Sequence, residues 1–198
     1  NTTGSPKFIS SAVYSDRVPM VLIEPSATNL VTYSEDFSTG WTADDVSLTG
    51  GYSSLDGGEN AMLLKGNTNS SRHNVARFGM TNTVTGSFSI FAKAKELRYL
   101  QIASANTASQ YANFDLLSGT IGTVATDFSD AKMEAYPDGW YRITLVSPNR
   151  YNNYYISLVS GLAATWLESW VMPNDTDGLY IWGAQLEESS VATSYIPT

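Results

Sequence analysis

Two carboxylates are enough to hydrolyse a glycosidic bond. The chain offers Asp44, Asp45, Asp115, Glu134, Asp138, Glu168, Asp175 and Asp177. Asp44 with Asp45, and Asp175 with Asp177, sit in turn-like sequence and read as solvated turn residues. Glu134 and Asp115 could face one groove, but nothing in the sequence desolvates them. A serine triad would have to draw on His73, the one imidazole, and no Gly-x-Ser-x-Gly elbow is present. His73 reads instead as a hydrogen-bonding residue at a strand edge. The absence of cysteine excludes thiol catalysis, disulfides and Cys-ligated zinc. Calcium needs about six to eight oxygens, and Asp175-Thr176-Asp177-Gly178 opens such a loop without the glutamate that would close it. No catalytic set, metal site or cofactor is expected.

Recognition is the remaining chemistry. Sugar rings lay a C–H face on Trp or Tyr while planar polar side chains take their hydroxyls. Two places combine those types. The first is the outward set Tyr99, Gln101, Tyr111, Asn113, Trp140 and Arg142, which would form one polar, aromatic face if their strands are neighbours. The second is the run around Tyr151 together with Trp166 and Trp170. The alternatives are that the first face is covered by an N-terminal arm or a second subunit, and that the two tryptophans form a small satellite core.

Composition narrows the partners. The 198 residues carry 11 Lys and Arg against 19 Asp and Glu, a net charge of −8. Sequence-blind binding to nucleic acid needs clustered cations, so none is expected. No apolar stretch reaches the roughly 20 residues of a membrane span. Charged residues are 15% of the chain and aromatics 12%, against about 25% charged in an average protein. Strand formers abound and long-helix formers are thin.

The strands must position these residues. Segments 87–95, 98–104, 111–116 and 140–147 alternate apolar and polar side chains. Residues 29–33, 61–65, 74–78, 121–124, 132–136 and 154–160 are shorter strand-like runs. Residues 179–186 are apolar on both faces and belong at a sheet centre. Asp138-Gly139 marks a tight turn. This spacing predicts an all-β, antiparallel β-sandwich of jelly-roll type over residues 29–198. Residues 1–28, broken by Pro6, Pro19 and Pro25, read as an arm or connector. Residues 162–172 form the one stretch that could be helical. Asn1 follows no signal sequence, so the chain reads as a fragment or a processed product.

Several segments, in order, carry a family resemblance. They are Leu22-Ile23-Glu24-Pro25, Tyr33-Ser34-Glu35-Asp36-Phe37-Ser38 with Trp41, Phe88-Ser89-Ile90-Phe91-Ala92-Lys93-Ala94, Asp138-Gly139-Trp140-Tyr141-Arg142, Tyr180-Ile181-Trp182-Gly183-Ala184-Gln185, and the closing Tyr195-Ile196-Pro197. Together they resemble a jelly-roll, carbohydrate-binding-module-like (concanavalin-like) domain of tailed-phage fibre and virion structural proteins. The resemblance implies a virion or extracellular location and a polysaccharide or cell-surface glycan as partner. Many such carbohydrate-binding modules hold calcium through a Glu after the first-strand Phe, where this chain has Ser38. Jelly-roll lyases carry a histidine where this chain has Ala103. Trp166, Glu168, Trp170 and Met172 replace a short small-residue segment in the family pattern, which makes that region a specificity candidate.

The leading expectation is a non-catalytic carbohydrate-binding module that recognises host glycans. The alternatives are a structural virion module that assembles as a homo-oligomer such as a trimer, and a polysaccharide-degrading enzyme.

Overall fold

The computed structural model describes residues 24–80, 85–104, 108–148 and 153–198. The arm expected over residues 1–28 therefore lies largely outside the described residues, as does Tyr151. Twelve strands are present: β1 (Thr42–Asp44), β2 (Val46–Tyr52), β3 (Ala61–Gly66), β4 (His73–Arg77), β5 (Gly86–Ala94), β6 (Tyr99–Ser104), β7 (Tyr111–Asp115), β8 (Thr120–Val124), β9 (Asp130–Ala135), β10 (Trp140–Ser147), β11 (Tyr154–Leu158) and β12 (Gly178–Glu187). They form two antiparallel six-stranded sheets. The first runs β1-β4-β11-β6-β7-β8 and the second β2-β3-β12-β5-β10-β9. The inner eight strands, β4-β11-β6-β7 over β3-β12-β5-β10, follow the double Greek-key path of a jelly roll.

Alternation explains the core. β6 and β7 turn Leu100, Ile102, Ala112 and Phe114 inward; β10 turns in Ile143 and Leu145; β5 turns in Phe88 and Ile90. All are buried in one cluster with Ile156, Leu158, Leu64 and Ile181. Phe88 stacks on Tyr154 across the sheets, with ring centroids 4.5 Å apart. β12 lies third of six in its sheet, as its two apolar faces predict. It carries a bulge between Trp182 and Gln185, where Gly183 takes φ 63°, a region that favours glycine.

Two expected elements take other forms. Residues 29–33 form no strand. The Asn29 carboxamide donates to the carbonyls of Ala184 (3.1 Å) and Ile196 (2.9 Å), which ties this segment to β12 and the C-terminal tail. Residues 162–172 form no helix. The segment leaves β11 and crosses the outside of the first sheet, from β8, where the Thr123 amide donates to Leu162 O (3.0 Å), to Ser71 beside β4. Its carbonyls bond to side chains and amides of the sheet and its border rather than to its own amides, and Leu167 sits at φ 42°. We call this segment the strap.

Candidate functional site

The outer face of the first sheet is sealed by the strap. Asn113 on β7 donates to the carbonyls of Leu162 (3.1 Å) and Ala164 (2.8 Å). Gln101 on β6 donates to Asn113 Oδ1 (2.8 Å) and Thr165 O (2.9 Å), and its own Oε1 accepts from the Leu167 amide (2.7 Å). Both amides are fully buried. Gly122 on β8 lies directly under the Leu162 carbonyl, where a Cβ would collide with backbone.

The single outward face predicted from alternation is therefore corrected in two respects. Tyr99, Gln101, Tyr111 and Asn113 do share a face, but the chain's own strap closes it over the two amides. Trp140 and Arg142 lie on β10, in the other sheet. Alternation fixes which way a residue points, but not which sheet its strand joins. Glu134 and Asp115 are likewise on opposite sheets, so they share no groove. Asp115 instead receives the Arg98 guanidinium, the Leu117 amide (2.9 Å) and the Ser118 hydroxyl (2.7 Å). These contacts, the guanidinium foremost, hold its carboxyl well below the usual carboxylate range.

Trp166 and Tyr111 are half-buried beside Ala76, Ala103, Tyr155 and Leu167. The Arg72 guanidinium lies 5.6 Å from the Trp166 ring. Trp170 donates from Nε1 to Leu158 O (3.1 Å) and packs edge-on to His73. His73 is buried on β4, with Nδ1 3.1 Å from Asp45 O and Nε2 3.1 Å from Trp170 O. Trp170 and His73 thus anchor the end of the strap. Tyr99 lies under the Arg98 guanidinium at 5.1 Å.

The outer face of the second sheet is only half covered. The C-terminal tail lies across Arg142, Gln185 and Glu187. Arg142 donates to Thr193 O (2.7 Å) and Ser89 Oγ (3.0 Å), Gln185 accepts from the Ile196 amide (2.7 Å), and Glu187 accepts from Thr193. Arg142 is thereby committed to fastening the tail.

The other half of this face is an open concavity. Trp140, Lys93 and Tyr180 are cross-strand partners on β10, β5 and β12, so all three point outward in one row. Tyr52, at the end of β2, packs against Tyr180 with centroids 5.0 Å apart. One lobe of about 480 Å³ is walled by Ser53, Ser54, Leu55 and Gly57 and by Pro137 and Asp138, with Lys93 and Trp140 between them. A smaller lobe of about 230 Å³ is lined by Tyr52, Ser53, Lys93, Trp140 and Tyr180. Asp138 (φ 59°) and Gly139 (φ 78°) make the tight turn that raises one wall. The opposite wall is fixed by Ser54, whose hydroxyl donates to Asp56 Oδ1 (2.6 Å), and by the Gly58 amide on the same oxygen (3.0 Å). The Ser54 hydrogen bond lowers the Asp56 pKa.

No protein-family model matches the sequence, and no curated protein does. Among solved structures, the enzymatically active domain of bacteriophage CBA120 tailspike protein 4 is similar at a TM-score of 0.45 and 15% identity. The likeness covers 80% of this chain and 21% of that one. At that distance it assigns no residue a role. No helix among the described residues is long and apolar enough to cross a membrane.

Of the sequence-derived site residues that are described, the structure places only Trp140 in the concavity, as part of its buried floor. Tyr52, Tyr180 and Lys93 were missed. A signal was available: Lys93 is the one charged residue of β5, and Tyr180 occupies the outward register of β12.

Proposed function

We propose that this β-sandwich is a non-catalytic carbohydrate-binding module whose ligand lies in the concavity of the second sheet. One observation carries the reading: two half-exposed tyrosines, Tyr52 and Tyr180, stand beside an outward lysine in a walled depression. The rings offer apolar faces to sugar C–H groups, and Lys93, Ser53 and Asp138 offer hydrogen bonds to hydroxyls. The larger lobe lies within the roughly 300–1,000 Å³ usual for small-ligand sites. Among the described residues Asp138 is the one carboxylate that lines either lobe, whereas hydrolysis of a glycoside calls for two. The ordered motifs from Leu22 to Pro197, which resemble those of phage-fibre modules, support a place on a virion and a host surface glycan as partner.

Glycan-array binding tests the reading. The wild-type protein is expected to be retained on a subset of bacterial polysaccharides without shortening them. Tyr180→Ala is expected to weaken retention about fivefold or more, as loss of an aromatic anchor does. Equal retention by Tyr180→Ala, or release of new reducing ends, would overturn it.

A further inference from the structure

We propose that the sugar seated in the smaller lobe is an acidic one, a uronic or sialic-type residue whose carboxylate pairs with Lys93. The proposal rests on the carbohydrate-binding reading above and specifies its ligand class.

The described ion pairs are Lys95 with Glu96, Arg98 with Asp115, and Lys132 with Asp130. Lys93 belongs to none, and no described side chain accepts a hydrogen bond from it. Its neighbours in the row are Trp140 on one side and Tyr180 on the other. An ammonium between aromatic rings and open space is a charge without a counter-ion. The chain as a whole carries −8, yet three of its five lysines, Lys65, Lys93 and Lys95, point outward from this half of the sheet. Lys95 is already held by Glu96, whose hydrogen bond raises its pKa.

The two lobes differ in charge. Lys93 lines both, but the larger also holds Asp138, which offsets the ammonium there and suits neutral hydroxyls. Among the described residues no carboxylate lines the smaller one, where Lys93 stands with Tyr52, Ser53, Trp140 and Tyr180. A carboxylate there would gain a charge-assisted hydrogen bond from Nζ while its ring rests on Tyr52 or Tyr180. An adjoining neutral sugar would extend toward Asp138. The geometry thus sets an order along the glycan, with the acidic unit toward β12 and the neutral unit toward the 137–139 turn.

The test is an array of uronate- and sialate-containing polysaccharides beside the same polymers after carboxyl reduction, probed with wild type, Lys93→Met and Lys93→Arg. Thermal melting of each variant serves as the folding control. Wild type is expected to bind at least one acidic polymer, to lose tenfold or more on its reduced form, and to bind less tightly as salt is raised. Lys93→Met should lose about tenfold on the acidic polymer alone, and Lys93→Arg should recover most of it. Equal binding to acidic and reduced polymers, or undiminished binding by Lys93→Met, would overturn the acidic ligand and leave carbohydrate binding standing. Silence across the whole array, acidic and neutral, would overturn both.

Discussion

Removing the amides that hold the strap tests whether polar side chains close the first sheet. In Gln101→Ala, the buried Leu167 amide loses its acceptor and the buried Asn113 Oδ1 its donor, while the part-buried Thr165 O also loses a donor. Each orphaned group costs about 1–3 kcal/mol, so the variant should lose about 4 kcal/mol. In Asn113→Ala, Ala164 O is orphaned, but Leu162 O keeps the Thr123 amide and Gln101 keeps Thr165 O. That variant should lose about 3 kcal/mol. The bond between the two side chains is counted in both, so the double variant should cost about 1 kcal/mol less than the sum. At about 2–4 °C per kcal/mol for a chain of this size, Asn113→Ala should melt about 6–12 °C below wild type. Urea unfolding gives the free energies, and hydrogen exchange locates the damage. In Gln101→Ala the Leu167 amide should lose protection, while those of Ile102 and Phe114 in the sheet beneath keep theirs. A Gln101→Ala cost below about 1 kcal/mol, or one smaller than that of Asn113→Ala, would refute the clamp.

Two further predictions concern stability. His73→Leu keeps the volume but removes the ring nitrogens from Asp45 O and Trp170 O, which retain the Asn67 and Ser71 amides, so urea unfolding should register a loss of about 1–2 kcal/mol; a loss under about 0.5 kcal/mol would remove His73 as the strap's anchor. Acid should destabilise the fold in a defined window, because Asp115 is held low chiefly by Arg98 and Asp45 is held at about 2 chiefly by the Asn67 carboxamide. Both folded-state values lie below the unfolded ones, so their contribution is full above pH about 4 and fades as pH falls toward and below 2. The urea midpoint should be flat from pH 7 to about 4 and then drop. Asp115→Asn should lower the plateau and shallow the drop.

The sandwich was legible because its strands alternate. Period-two patterning turns Leu100, Ile102 and Phe114 inward and sets Phe88 with Ile90, and Ile143 with Leu145, on one face of their strands, and the structure buries all of them. The site was less legible, for reasons that belong to the residue types. A carboxamide recognises a sugar hydroxyl and a backbone carbonyl with the same donor and acceptor, so Gln101 and Asn113 read equally well as ligand contacts or as a clamp. Trp166 and Trp170 are four apart, the spacing of a helix face, yet they lie on an irregular strap whose conformation is imposed by the sheet beneath. Alternation along β5 sets Lys93 on the face opposite Phe88 and Ile90. Its meaning depended on β12 and β10 flanking it, and that pairing joins residues 93, 140 and 180, far apart in the chain.

Hydrogen-bond completion separates polar residues that build this sandwich from those left for a ligand. Both outer faces carry polar side chains, and most are consumed within the chain: Gln101 and Asn113 by the strap, Arg142, Gln185 and Glu187 by the C-terminal tail. Such groups cannot turn to a ligand without orphaning backbone, at a cost that exceeds the gain from one sugar hydroxyl. Arg142 and Lys93 are two strand positions apart on the same side of the same sheet, and they divide on this criterion. Arg142 is buried with its guanidinium on Thr193 O and Ser89 Oγ, so it belongs to the fold. Lys93 stands half-exposed between rings with no described partner, so a group outside the chain can take its charge without breaking a contact within it.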